Sequence, residues 1–181
     1  MTQALVLLAE GFEELEAVTV INILRRGGVS VVSAGLHSGP VRGARGMVIV
    51  PDSEITMQSA DDYDLLVLPG GQPGTRNLHA DPNVRALLEQ ARAAGQLIAA
   101  ICAAPSILAD YGFLQGKRAT GYPGTLMQRP GVTLTDEAVV VDGNIVTSRG
   151  PGTAMDFALI LLDLLAGPDT RQRVERSLVR G

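Results

Sequence analysis

Leu65-Leu66-Val67-Leu68-Pro69-Gly70-Gly71 decides the fold. Four apolar residues run without alternation, so the strand they form is covered on both faces. Pro69-Gly70-Gly71 then breaks it. The same form recurs at Ala4-Leu5-Val6-Leu7-Leu8 and over residues 97–101, where Cys102 follows at once. Amphipathic segments lie between these runs. Residues 13–26 read as a helix with Ala17, Val20, Ile21 and Leu24 on one face, stopped by Gly27-Gly28. Residues 29–34 read as the next strand and complete a βαβ unit. Asp81 can cap a helix with Pro82 at its first position, running to about residue 94 and ended by Gly95. Residues 103–110 read as a further helix. Pro151 opens a long apolar helix to residue 165, Gly167-Pro168 closes it, and a last amphipathic helix covers about 169–178. Residues 40–50 read as a small hairpin, and residues 138–147 as a second one across an Asp142-Gly143 turn. This order predicts an α/β fold, a doubly wound, mostly parallel sheet with helices on both faces.

Composition sets outer bounds. The 181 residues suit one α/β domain over 1–181, and 46% apolar with 19% charged residues predicts a packed core. Aromatic residues are 3%, with no Trp, so Leu, Val, Ile and Ala must build that core. The net charge of −4 argues against a nucleic-acid partner, which needs a basic face. Arg171, Arg173, Arg176 and Arg180 form the one sizeable basic cluster, and Asp169 and Glu175 interrupt it. A single cysteine excludes an internal disulfide and points to a reducing compartment, so a cytoplasmic location is expected. The start carries no basic segment or cleavage pattern, and no signal peptide is expected. The longest uncharged stretch, 93–109, contains Gly95, Gln96 and Pro105 and falls short of the roughly 20 residues of a membrane span.

In doubly wound sheets the ligand site lies beyond the carboxyl ends of the strands. Three groups of residues fall there: 10–16, 69–74, and Cys102. A sharp turn at Cys102 would project its sulfur from the sheet edge. Unsatisfied amides of the following helix would then favour a thiolate, lowering the pKa below about 8.5. A lone Cys among Ile and Ala is also what a small buried hydrophobe looks like. The glycines at 70 and 71 allow backbone N–H groups to face a ligand oxygen, and with the amide at Cys102 they could form an oxyanion hole. Glu10, Glu13, Glu14 and Glu16 crowd the first strand-to-helix turn, where carboxylates ordinarily complement the helix dipole. One pointing inward toward Cys102 would be protonated and could donate to sulfur. Periodicity does not say which one. His37 and His79 have no motif around them and read as surface residues. One Cys and two scattered His give no metal-ligand spacing. No glycine-rich phosphate loop is present, so no cofactor is expected.

Four segments occur in a familiar order: Ala9-Glu10-Gly11-Phe12-Glu13-Glu14-Leu15-Glu16-Ala17-Val18, Leu68-Pro69-Gly70-Gly71, Ala99-Ala100-Ile101-Cys102-Ala103-Ala104-Pro105, and Thr147-Ser148-Arg149-Gly150-Pro151-Gly152-Thr153. Together they resemble the ThiJ/PfpI superfamily, in the branch of the Parkinson-disease protein deglycase and bacterial YajL. The resemblance spans nearly the whole chain. It implies a flavodoxin-like fold and a homodimer. It makes Cys102 the elbow nucleophile, a low-pKa thiolate easily oxidised, and Glu16 the protonated carboxyl that hydrogen-bonds to sulfur. Gly71 and the backbone of Ala103 would complete the oxyanion site. Arg45 and Arg149 match arginines on the dimer-facing side of the pocket, and Arg26 matches another at its edge. Two departures stand out. The deglycase carries His-Pro where this chain has Tyr122-Pro123, as in the YajL branch, so protons would pass through Glu16, helped by Tyr122 or water. The protease branch places His directly after its Cys, where this chain has Ala103, which argues against proteolysis. The implied activity is glyoxalase or deglycase chemistry on reactive dicarbonyls such as methylglyoxal or their early adducts, in stress protection. The alternative is a redox sensor or redox-regulated chaperone using oxidation of Cys102.

Overall fold

In a computed structural model, residues 2–127 and 129–180 are described. The chain starts with a strand, β1 (Gln3–Leu8), a helix, α1 (Glu14–Arg26), and β2 (Ser30–Gly35). The short strands β3 (Val41–Arg42) and β4 (Val48–Ile49) pair antiparallel as the expected small hairpin. Then follow β5 (Ser53–Glu54), β6 (Leu65–Leu68), α2 (Gly74–Ala80), α3 (Pro82–Ala93), β7 (Leu97–Ile101) and α4 (Pro105–Asp110). The last part holds β8 (Arg118–Ala119), β9 (Thr133–Leu134), β10 (Val139–Asp142), β11 (Ile145–Ser148), α5 (Ala154–Ala166) and α6 (Pro168–Ser177). The main sheet has seven strands in the order β10-β11-β7-β6-β1-β2-β5. All its pairs are parallel except β10 with β11.

The two-sided burial read from the strands is visible residue by residue. Ala4, Val6 and Leu8 of β1 pack with Ala17, Val20 and Leu24 of α1 and Phe157, Leu161 and Leu162 of α5. Leu5 and Leu7, the alternate residues, pack with Leu78 of α2, Leu87 and Leu88 of α3 and Ile107 of α4. Neighbouring side chains on one strand thus enter different cores, which is why no polar residue alternates with them.

Several boundaries follow from local chemistry. Gly28 ends α1 at φ +83, a conformation that favours glycine. Asp81 caps α3 as its sequence suggested, its Oδ1 accepting from the N–H of Asn83 at 2.8 Å and of Val84 at 3.3 Å. Other elements differ from expectation. The second hairpin turns at Gly143-Asn144, one residue later than Asp142-Gly143, because Asp142 pairs with Ile145. Only Gly143 of the two takes positive φ, as a type II′ turn requires. The helix from Pro151 begins as one 3₁₀ turn and becomes α-helical at Ala154. Helix α2 carries no sequence signal, since Gly, Thr, Asn and His are weak helix formers. The parallel pair β8–β9 is two residues long on each strand and equally silent in the sequence.

Parallel topology brings the ends of β1, β6, β7 and β11 to one edge of the sheet. Removing the α3 cap tests the local account. Asp81→Ala should lower unfolding free energy by about 1 kcal/mol in urea titration, with an unchanged denaturant slope.

Candidate active site

Strand β7 ends at Ile101, and Cys102 next to it holds φ +64. For a residue with a Cβ this backbone is strained, by about 1–3 kcal/mol. Two hydrogen bonds hold it there. The Cys102 N–H donates to Ser148 O of β11 at 3.0 Å, and its carbonyl accepts from the Tyr122 N–H at 2.7 Å. The sharp elbow read from the sequence is therefore present. Its oxyanion chemistry differs in one respect: the Cys102 amide is committed to Ser148 and is not a free donor.

The free donors are the amides of Ala103 and Gly71, which point at the sulfur. Neither has another acceptor among the described residues. The glycine turn makes this possible. A Cβ on Gly70 would stand 2.7 Å from Cys102 Cβ and 2.9 Å from Ile101 O, so only glycine lets the two turns touch. Gly71 takes φ +89, and a Cβ there would meet the Glu13 N–H nitrogen at 2.5 Å. The turn is fixed to the start of α1 by Glu13 N–H donating to Gly70 O at 2.9 Å.

Glu16 is the inward carboxyl that periodicity left open. It is fully buried, and its Oε2 accepts from the Gly70 N–H at 2.7 Å. Its Oε1 has no hydrogen-bond partner of good geometry among the described residues. The Cys102 sulfur lies close enough to this carboxyl that each perturbs the other's proton. Burial raises Glu16 to about 7 against the pull of the Gly70 N–H and the thiol, with the nearby Glu13 charge adding to the rise. Burial also pushes the Cys102 thiol up, to about 12, helped by the Glu16 charge and opposed by the Ala103 and Gly71 amides. Burial and the Glu16 charge thus work against the standing thiolate expected from the sequence. The helix said to stabilise it starts only at Pro105 and has six residues, so its dipole acts weakly at sulfur. Meanwhile two negative charges cannot share this buried site. Above neutrality the pair holds one proton.

Cys102 opens into a cleft of about 390 Å³, lined also by Arg45, Tyr122, Ala103, Gly71, Glu13 and Thr125. Arg45 belongs to the same chain as this Cys102. Tyr122 is half-exposed. Arg149 is not among the lining residues; its Nη1 turns away to donate to Asp136 O at 2.9 Å. Arg26 lies in another depression, with its Nε donating to Asn22 Oδ1 at 2.7 Å. His37 lines a different cavity, and His79 Nε2 stands 3.8 Å from Asp110. Sequence reasoning passed over Thr125 and Gln72, which carry no motif, and read Glu14 only as one of four carboxylates crowding the start of α1. That residue is buried at 5% exposure, and its Oε1 accepts from the amides of Arg45 at 2.7 Å and Met47 at 3.2 Å.

The sequence pattern of the DJ-1/PfpI family matches residues 2–164. The chain is 42% identical over 179 residues to protein dj-1beta of Drosophila melanogaster, covering 97% of this chain and 96% of that one. It is 37% identical to the glutathione-independent glyoxalase DJR-1.2 of Caenorhabditis elegans, covering 92% and 90%. The crystal structure of Drosophila melanogaster DJ-1beta is similar with a TM-score of 0.95, covering 99% of this chain and 98% of that one.

The buried carboxyl has a consequence for stability. Its folded pKa, about 7, exceeds the ordinary 4.5, so the folded state binds the proton more tightly. The stabilisation is full below about 4.5 and is lost as pH rises through about 7. Glu16→Gln keeps an acceptor for Gly70 and never ionises. Its melting temperature should exceed that of the wild type by about 5 °C at pH 8, and the gap should close by pH 4.5.

Proposed function

The chain belongs to the DJ-1/PfpI family, and from that premise we propose that it is a cysteine-dependent, cofactor-free glyoxalase or deglycase acting on reactive dicarbonyls such as methylglyoxal. The observation that carries this reading is the buried Glu16 carboxyl against Cys102, with two unengaged amides at the same sulfur. The name of the Caenorhabditis elegans relative supports the reaction class. A single free thiol suits a cytoplasmic role in stress protection.

The reaction runs without a standing thiolate. Ionised Glu16 takes the thiol proton as sulfur bonds to the aldehyde carbon of methylglyoxal. The former carbonyl oxygen gains charge and accepts hydrogen bonds from Gly71 and Ala103 N–H. Glu16 returns a proton to that oxygen, giving a hemithioacetal. It then removes the hydrogen on the aldehyde-derived carbon, the hydroxyl proton of that carbon passes to the neighbouring ketone oxygen, and a proton is returned to the ketone carbon. The first carbon is oxidised to a thioester and the second reduced to an alcohol. Water cleaves the thioester to lactate and free thiol. The sum is methylglyoxal plus water giving lactate, with no outside oxidant or reductant.

A redox-sensing role is the second reading. Oxidation by peroxide needs thiolate at rest. Burial and the Glu16 charge oppose that form, whereas catalysis moves the proton only at the moment of attack. The cleft therefore favours the enzyme.

A homodimer is proposed as well. Leu15 and Val18 of α1 lie beside Met47 and Val50 of the hairpin as an apolar, solvent-facing patch, with Val50 at 73% exposure. Such a patch marks an interface. Light scattering should give twice the 19.0 kDa chain mass. Val18→Glu should shift the protein toward monomer, and a monomeric wild type at micromolar concentration overturns the interface.

Lactate formation from methylglyoxal tests the chemistry. Cys102→Ser should lose more than about 10³-fold in kcat, and Glu16→Gln about 10²–10⁴-fold. Because Glu16 acts in its ionised form, kcat/KM should fall about tenfold per pH unit below about 7. Unchanged turnover in Cys102→Ser sinks the proposal.

A further inference from the structure

The cleft's basic edge is Arg45, an exposed residue on the connection between β3 and β4. Its guanidinium forms no ion pair among the described residues. A long cation on a surface loop has many rotamers, and a loop that moves would give it no fixed place beside Cys102. Something must hold the backbone beneath it.

We propose that Glu14 is the positioning residue of this cleft: its buried carboxylate clamps loop 43–47 onto the start of α1 and so sets where Arg45 stands to receive an anionic group in the cleft, such as the carboxylate of the lactate product. The proposal rests on the reading of the cleft as a substrate site.

The geometry is specific. One carboxylate oxygen, Oε1, accepts from both Arg45 N–H at 2.7 Å and Met47 N–H at 3.2 Å. The loop backbone lies directly on the carboxylate: a Cβ on Gly43 would stand 2.3 Å from Glu14 Cδ. Loop and helix start are also joined by Ala44 N–H donating to Phe12 O at 2.8 Å. The loop is closed on itself by Gly43 N–H donating to Met47 O at 2.8 Å. Among the described residues Glu14 is the only buried side chain bonded to the loop; Arg42 Nη1 reaches Gly46 O at 3.3 Å from the exposed side. A buried carboxylate is costly unless hydrogen-bonded, and the bonds from this loop repay it. Its other oxygen, Oε2, is buried and has no partner among the described residues. The charge is therefore held by the loop amides, and the Arg45 guanidinium stays free for a ligand. Glu14 and Glu16 share the first turn of α1, so one helical turn carries both the proton acceptor and the anchor of the basic edge.

Alkylation of Cys102 reads this without any turnover. Iodoacetate is an anion and iodoacetamide its neutral counterpart, so the ratio of their rate constants reports the cation beside the sulfur. In the full chain, Arg45→Ala and Glu14→Met should each lower that ratio about fivefold. Glu14→Gln, which keeps the acceptor oxygen, should remain within about twofold of the wild type. Removing a negative charge acts through space to raise the ratio, so a fall reports the displaced loop and not the lost charge. With Arg45→Ala already present, Glu14→Met should lower the ratio no further. A ratio unchanged or raised in Glu14→Met, or an equal further fall without Arg45, overturns the proposal. If Glu14→Met does not fold, Glu14→Ala takes its place under the same outcomes. A chain that shows this alkylation pattern but makes no lactate defeats the proposed reaction and leaves the clamp standing. Lactate formation with an unchanged ratio defeats the clamp alone.

Discussion

The left-handed backbone at Cys102 is the constraint on which the rest of the site depends. A residue with a Cβ leaves this conformation unless its surroundings hold it. Ser148 O on one side and Tyr122 N–H on the other do so, which ties the elbow to β11 and to the segment after β8. The same turn presses Cys102 Cβ against Gly70, and only a residue without a side chain fits there. Once Gly70 is so placed, its N–H reaches Glu16 and its carbonyl takes Glu13 N–H. The start of α1, the glycine turn and the elbow are thus one hydrogen-bonded unit. Strain at one residue is spread across the ends of four strands.

Two carboxylates two residues apart meet opposite fates in that unit. For Glu14 burial raises the pKa, but its own N–H, the Arg45 and Met47 amides and the Arg45 charge outweigh it and hold the carboxyl below the usual range. For Glu16 burial wins over the Gly70 amide and the Cys102 thiol, and the neighbouring Glu13 charge adds to it. Neighbours on one helical turn are thereby divided into a permanent anion and a titrating group. Environment, not residue type, makes the division.

What the sequence disclosed followed from how local each signal is. Leu65 to Leu68, lacking alternation, and the Asp81-Pro82 cap each depend on a few adjacent residues, and both are found where expected. The Cys102 elbow was legible because a strand signal runs directly into it. Which of four glutamates points inward was not, since that is decided by the position of Gly70, 54 residues further along the chain. The thiol's raised pKa was missed for a related reason. The helix dipole is visible in a sequence, whereas desolvation by β1, β6 and β7 together is not. Arg149 carries a familiar motif, yet its side chain turns to Asp136, a partner with no motif. Helix α2 stayed hidden because the glycine turn before it supplies its starting geometry, not its own residues.

Tyr122 in place of an imidazole fixes how protons travel. Neither histidine of the chain lines the cleft, and Tyr122 sits half-exposed at its wall. A neutral phenol offers an O–H donor and only a weakly basic oxygen. Of the other lining groups, Arg45 cannot give up a proton, and Thr125 is a hydroxyl. Glu13 stands at the cleft wall, only partly buried, and does not reach the sulfur as Glu16 does. In the proposed reaction every proton displaced at sulfur therefore goes to Glu16, whose value near 7 makes it able both to take and to return one. A base with the usual carboxyl pKa would hold that proton too weakly, so the burial that lifts Glu16 is what suits it to carry protons in a cleft that no histidine lines.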